Sequence, residues 1–167
     1  PQQRPGRRSQ AAHVVRPGGY KARDEWLVAS GEKGMSMQVK SYKDLIVWQK
    51  AMDLVEMVYH VTKSFPREEL YGLTNQLRRA SVSIPSNIAE GQARNSTAEF
   101  RNFLSITRGS LAEVETQLLI AERLNYLDSE KLREILAVQI EVNKMTNALM
   151  IKLVTSHSPI VTRKGGE

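Results

Sequence analysis

Cysteine is absent from this chain of 167 residues, and aromatic residues make up only 6% of it. Without cysteine, the chain can form no disulfide, no thiolate metal site and no cysteine nucleophile. The low aromatic content suits aliphatic helix packing better than a β-sandwich. No apolar run approaches the ~20 residues that a membrane-spanning helix needs, and the first residues lack the apolar segment of a secretory signal. These absences favour a helical protein of the reducing cytoplasm with no membrane partner.

The patterns that catalysis and cofactor binding need are missing too. The sequence has no Gly-x-Ser-x-Gly elbow and no phosphate-cradling glycine loop. Glu56 and His60 are four residues apart, but no second pair matches them, as a carboxylate-bridged two-metal site would require. A surface ion pair or hydrogen bond is the favoured interpretation of that pair. We therefore predict a protein that is not an enzyme and uses no cofactor or metal.

The positive charge of the chain is concentrated at its ends. Of the net charge of +6, residues 1–34 carry +4 and residues 155–167 carry +1, which leaves +1 for the middle. The first segment is rich in Arg, Pro, Gly and Gln, and has no helical period. We predict that residues 1–40 are a disordered basic tail, or an upstream segment foreign to a protein that starts at Met35 or Met37. Residues 41–154 are predicted to fold, and residues 155–167 to form a disordered C-terminal tail.

Between Ser41 and Val154, apolar residues recur at intervals of three and four, the period of an amphipathic α-helix. The pattern predicts four helices, at about residues 44–63, 68–91, 96–124 and 128–153, the second kinked at Pro85 and ended by Gly91. A capping box of Ser96 and Glu99 opens the third, and Asp128 or Ser129 caps the fourth. The first helix has two adjacent apolar rows: Leu45, Trp48, Met52, Val55 and Tyr59, beside Val47, Ala51, Leu54, Val58 and Val61.

Short connections and the lack of any strand-period segment predict an all-α protein, an antiparallel up-and-down four-helix bundle. The first and fourth helices show more apolar surface than one internal seam requires. This excess favours self-association into a homo-oligomer. The alternative is that a single bundle buries broad helix faces.

A polar stripe on the second helix is the first candidate functional feature. Its members recur at threes and fours, so that they share one helix face: Gln76, Arg79, Ser83, Asn87, Glu90 and Arg94. One interpretation is an oligomer interface or a structural polar stripe formed by Gln76, Ser83, Asn87 and Glu90. The other interpretation makes the same stripe a ligand surface.

A local excess of arginine is the second feature. Residues 76–110 contain five arginines and two acids, a net charge of +3, whereas residues 111–154 carry −2. The arginines are Arg78, Arg79, Arg94, Arg101 and Arg108. Arginine suits phosphate because its planar fork donates two parallel hydrogen bonds. We predict that these five residues bind the backbone of RNA or DNA with little sequence specificity, and without base stacking, because no aromatic residue interleaves with them. The alternative is a solvated face whose arginines form salt bridges within or between subunits.

Two sequence runs carry a family resemblance. DLIVWQKAMDL at 44–54 and FPREELYGLTNQLRRASVSIPSNIAEG at 65–91 closely resemble the bacterial four-helix-bundle family named for proteins encoded in intervening sequences of large-subunit ribosomal RNA genes. The chain is also similar to the accessory variability protein (Avd) of diversity-generating retroelements. The resemblance spans about residues 42–153, and its most specific block is in the second helix, where Arg78, Arg79, Asn87 and Glu90 match.

The resemblance implies a bundle that assembles as a ring, typically a homopentamer. For the retroelement members it implies binding to nucleic acid and to a reverse transcriptase through a basic surface, although the near-neutral body of this chain departs from those strongly basic members. We therefore expect a non-enzymatic, cytoplasmic, oligomeric bundle that binds RNA or DNA backbone, as an accessory factor to a reverse transcriptase if it follows the retroelement members. The alternative is a protein–protein scaffold or an intervening-sequence protein that binds no nucleic acid.

Overall fold

A computed structural model describes residues 41–155 of the chain. Within that range there are four α-helices and no strand: α1 (Ile46–Val61), α2 (Leu73–Gln92), α3 (Thr97–Arg123) and α4 (Ser129–Thr155). Short 3-10 turns at Tyr42–Asp44 and Arg67–Leu70 precede α1 and α2. The predicted all-α fold with four helices is confirmed. The predictions for residues 1–40 and 156–167 lie outside the described residues.

The four helices close into one bundle. α2 packs against α1 and α3, and α4 packs against α3 and α1, while the backbones of the diagonal pairs stay further apart. Successive helices run in opposite directions: Arg78, early in α2, donates to Thr62, just after α1, and Phe100, in the first turn of α3, lies against Gly91 in the last turn of α2. Halfway along the next pair, Gln139 of α4 donates to the carbonyl of Leu111 of α3 at 3.2 Å. The topology is therefore up-and-down.

Only one of the two apolar rows of α1 is buried along its whole length. The row from Val47 to Val61 is fully buried. In the other row, Met52 is 36% exposed and Tyr59 is 41% exposed. The remaining core comes from the predicted seams of the other helices, including Leu77, Ile84, Ile88, Leu104, Leu111, Val114, Leu118, Ile135 and Val142. The apolar surface of this bundle thus exceeds what the bundle itself buries.

The structure gives Gly91 a different role from the predicted helix stop. α2 continues unbroken past Pro85 and past Gly91 to Gln92. Gly91 is buried, and a Cβ atom placed on it would lie 2.7 Å from Cδ2 of Phe100 and 2.7 Å from Cβ of Phe103. Glycine is needed here because α2 and α3 approach each other too closely for a side chain.

Side chains cap the starts of both α3 and α4, as the sequence predicts. Ser96 Oγ accepts from Glu99 N at 3.1 Å, and the Ser96 hydroxyl donates to the Glu99 carboxylate at 2.8 Å. Asp128, rather than Ser129, caps α4, because Asp128 Oδ1 accepts from Lys131 N at 2.8 Å. Asp128 Oδ2 also lies 3.1 Å from Lys131 Nζ.

The Asp128 cap makes the stability of α4 depend on pH. The backbone N–H of Lys131, followed by its side chain, lowers the pKa of Asp128 below its usual 3.8. Because the folded-state pKa is the lower one, the cap stabilises the fold above the unfolded pKa and is lost as pH falls through the folded pKa. Asp128→Ala should lower Tm by a few degrees at pH 7, and Asp128→Asn by less, since asparagine can also cap. Melting curves should show the gap between wild type and Asp128→Ala closing in acid; a gap independent of pH would contradict this account.

Candidate nucleic-acid interface

The middle of the predicted polar stripe lies between α2 and α3. Ser110 Oγ of α3 donates to Ser83 Oγ of α2 at 3.0 Å. Asn87 Nδ2 donates to the carbonyl and the hydroxyl of Ser83, at 2.7 and 2.8 Å. Ser83 and Asn87 are half-buried, whereas Gln76 and Glu90 are exposed. Ser83 therefore joins α2 to α3, and Asn87 is bonded to Ser83 within α2. The predicted oligomer interface of the stripe stays a prediction.

Arg78 is held in place by the end of α1. Its Nε donates to Thr62 Oγ1 at 2.8 Å, and its guanidinium carbon lies 4.9 Å from the centre of the Tyr59 ring. The Thr62 hydroxyl in turn donates to the carbonyl of Val58 at 2.8 Å. The two terminal nitrogens of Arg78 have no hydrogen bond or ion pair with residues 41–155. The orientation of the guanidinium is thus fixed while its fork stays available.

Arg94 joins the other end of α2 to α3. It forms an ion pair with Glu90, four residues earlier, and its guanidinium carbon lies 5.0 Å from the centre of the Phe103 ring. Both side chains of the ion pair are about half exposed, so that the pair contributes little to stability. The charge of Arg94 is partly offset by Glu90.

Four of the five predicted arginines have no ionic partner in the described part of the chain: Arg78 and three that are exposed. The ion pairs among residues 41–155 are Lys50–Glu141, Arg94–Glu90 and Lys131–Asp128. Arg79, Arg101 and Arg108 are all exposed. The salt-bridge alternative therefore finds no partner for these three within the described bundle.

Arg101 and Arg108 lie seven residues apart on one side of α3, about 10 Å along its axis. Arg108 borders a polar groove of about 390 Å³ between α3 and α4, lined by Ser105, Arg108, Gly109, Ala112, Glu115, Gln139 and Asn143. Two aligned guanidinium groups about 10 Å apart suit an extended polyanion such as a nucleic-acid backbone better than a single point anion.

The five arginines do not form one continuous patch. Arg78 and Arg79 lie near the start of α2, and Arg94 follows its end, about 24 Å further along the axis. Arg94 and Arg101 lie at the same end of the bundle, where α2 connects to α3, and Arg108 is two turns further along α3. The structure thus divides the predicted set into an Arg78–Arg79 pair and an Arg94–Arg101–Arg108 group.

Aromatic residues lie beside the Arg78–Arg79 pair, so the prediction that no aromatic residue interleaves with the arginines is wrong at this pair. A groove of about 580 Å³ runs between α1 and α2, and we call it the α1–α2 groove. It is lined by Tyr59, Leu70, Tyr71, Thr74, Asn75, Arg78, Arg79, Val82 and Ser83. Tyr59 comes from the neighbouring helix, and Tyr71 from the turn before α2. Tyr71 and Arg78 are seven residues apart, about two helical turns. This spacing was the one signal in the sequence for an aromatic ring on the same face as Arg78.

Two general searches of the described residues gave negative results. No cluster of three or more His, Asp or Glu side chains in the range 41–155 is arranged to hold a metal ion. In the same range, none of the helices has the length and apolar content that crossing a membrane requires.

The described chain is an all-helical bundle, and four of the five predicted arginines lie on its second and third helices. The chain belongs to the 23S rRNA-intervening sequence protein family, whose model matches residues 43–148. A solved structure from Bacteroides thetaiotaomicron, described as a protein with unknown function from the S23 ribosomal protein family, is similar. It shows 25% sequence identity and a TM-score of 0.59, over 62% of this chain and 97% of that chain. No curated protein matches the chain.

These matches confirm the predicted resemblance to the intervening-sequence proteins. The resemblance to the accessory variability protein stays a prediction.

Proposed function

We propose that this protein is a non-enzymatic bundle that binds the phosphate backbone of RNA or DNA through exposed arginines of α3. The observation that supports it most directly is the pair Arg101 and Arg108, exposed, aligned and without an ionic partner among residues 41–155. Guanidinium groups in this state donate paired hydrogen bonds to phosphate oxygens at little cost in lost internal contacts. Arg79 and Arg94 add positive charge, and the binding is to the backbone rather than to base edges.

Self-association is part of the proposal. Large apolar side chains are exposed on every helix, among them Met52, Tyr59, Val82, Ile106, Ile120, Leu124, Ile140 and Ile151. A homo-oligomer, a ring if it follows the family resemblance, would bury part of this surface. It would also repeat the Arg101–Arg108 pair on each subunit, which raises avidity for a long polyanion. An accessory role to a reverse transcriptase rests on the resemblance alone.

The test is the double variant Arg101→Glu/Arg108→Glu, with Arg123→Glu/Lys144→Glu as a control of equal charge change on exposed positions. Fluorescence anisotropy with a labelled structured RNA should show Kd weakened at least about 100-fold by the first variant, because it removes two charged hydrogen bonds that contribute roughly 1.5–3 kcal/mol each. With duplex DNA, the slope of log affinity against log salt should fall by about 2, for two lost phosphate contacts.

The control should bind within a few-fold of wild type, and far-UV circular dichroism should be unchanged in both variants. Equal losses in both variants would mean that binding follows net charge and that Arg101 and Arg108 form no site. A wild-type protein that ignores RNA and DNA at low salt would overturn the proposed function itself.

The exposed apolar side chains favour a second candidate, a protein–protein scaffold whose arginines form salt bridges between subunits. Light scattering after size exclusion separates the two candidates. In the scaffold, Arg101→Glu/Arg108→Glu should reduce the mass of the particle. In the nucleic-acid protein, the mass should stay that of wild type while RNA binding is lost.

A further inference from the structure

The α1–α2 groove has the size and composition of a ligand site. Its volume of about 580 Å³ falls within the roughly 300–1,000 Å³ of sites for small organic molecules, the size class of a nucleotide. Two of its walls carry tyrosine rings, two arginines border it, and no acidic residue lines it. A site of this composition selects a ligand that combines a negative charge with a flat or apolar body.

The charged part of the site is preorganised. The Thr62 hydroxyl and the Tyr59 ring hold the guanidinium of Arg78, so that less side-chain freedom is lost when an anion binds. Arg79, on the next position of α2, is exposed and unpaired within the described bundle. Glu69 forms no ion pair with either arginine; its carboxylate accepts from Leu73 N at 2.8 Å and from the Tyr126 hydroxyl at 3.5 Å.

Of two further side chains in the lining, Tyr71 points to a ligand rather than to packing. Tyr71 is 87% exposed at the edge of the groove, so that its ring packs against almost nothing in this subunit. Thr74 lines the groove, is only 3% exposed, and its hydroxyl has no hydrogen-bond partner among residues 41–155. Because that hydroxyl has almost no accessible surface, it costs stability in the folded chain but lies out of reach of a ligand in the groove.

We propose that the α1–α2 groove binds single-stranded nucleic acid, with a phosphate on Arg78 and Arg79 and an unpaired base stacked on Tyr71. This inference rests on the proposed function and deepens it, because it adds a strand preference that backbone contacts on α3 do not give. A base presents an aromatic face only when it is unpaired, and stacking on tyrosine tolerates any base. The tyrosines of the lining suit the base of a nucleotide, and the arginines, with no acidic residue in the lining, suit its phosphate.

The test compares two fluorescein-labelled probes, an oligothymidylate of about 12 nucleotides and its duplex with oligoadenylate. Tyr71→Ala should weaken the Kd for the single strand about 5- to 150-fold, the range for loss of one stacked base. It should leave the Kd for the duplex within about twofold. Tyr71→Phe keeps the ring and should bind like wild type. Leu124→Ala, at an exposed apolar position at the end of α3, is the matched control and should change neither probe.

The outcomes separate this inference from the function on which it rests. If wild type binds both probes and Tyr71→Ala still binds the single strand as wild type does, the groove inference is wrong and backbone binding by α3 stands. If wild type binds neither probe, both fail.

Three other results would also overturn the inference. One is an equal loss on both probes. Another is a fall in particle mass on Tyr71→Ala, which would make the groove a contact between copies of the chain. The last is displacement of the oligothymidylate by a glutamate–tyrosine copolymer at lower concentration, which would assign the groove to a protein partner.

Discussion

Replacing Leu111 by alanine should lower the free energy of unfolding by about 2–5 kcal/mol. Leu111 lies halfway along α3, is 1% exposed and belongs to the aliphatic core. Its carbonyl also accepts from Gln139 of α4 at 3.2 Å, so that the backbone around the new cavity is held in place. A site that cannot collapse loses both the transfer free energy and the contacts around the cavity.

Leu119→Ala is the matched control, because Leu119 lies on the same helix and is 41% exposed. It should change stability by about 0.5 kcal/mol or less. Urea denaturation followed by circular dichroism, at one protein concentration for all variants, measures both values. Similar losses for the two leucines would mean that Leu119 is buried by another subunit, and that the single bundle is not the unit that unfolds.

Gly91→Ala should cost about 1–3 kcal/mol, although alanine is the better helix former. The added Cβ would lie 2.7 Å from Cβ of Phe103, an atom fixed to the backbone of α3, and 2.7 Å from the Phe100 ring. The ring can turn aside, but Phe103 cannot, so that α2 and α3 must move apart at their tightest contact.

Gly109→Ala should change the free energy of unfolding in the opposite direction. Gly109 lies in the interior of α3 with nothing within 4 Å of an added Cβ, so that alanine should stabilise the fold by about 0.5–1 kcal/mol. Thermal and urea unfolding of the two variants in parallel test the pair. Stabilisation by both substitutions would show that the contact between α2 and α3 is looser than these distances indicate.

Helix periodicity predicts the fold because four amphipathic segments with short connections have few ways to pack. It does not predict which side of α1 faces inward. The Tyr59 row and the Val58 row are both apolar and lie next to each other, and only packing against α2 and α4 shows that Val58 is buried and Tyr59 exposed. The role of Gly91 escapes the sequence for the same reason, since it depends on how closely α3 approaches.

The candidate site was predictable in its residue types but not in its arrangement. Arginines close in sequence are separated by the rise of a helix, so that Arg78 and Arg94 end at opposite ends of α2. The partners of Arg78, Thr62 and Tyr59, come from α1, and periodicity within one helix cannot show contacts between helices. The α1–α2 groove therefore exists only in the folded chain.

The order in which the helices pack has a consequence for how the bundle forms. α1–α2, α2–α3 and α3–α4 are neighbours in sequence, and only the contact of α1 with α4 joins distant parts of the chain. Short loops cost little entropy to close, whereas the α1–α4 contact must order the whole intervening chain. Lys50 and Glu141, 3.4 Å apart, lie across this last contact. We therefore expect the contact between the first and last helices to cost the most chain entropy of the four helix contacts.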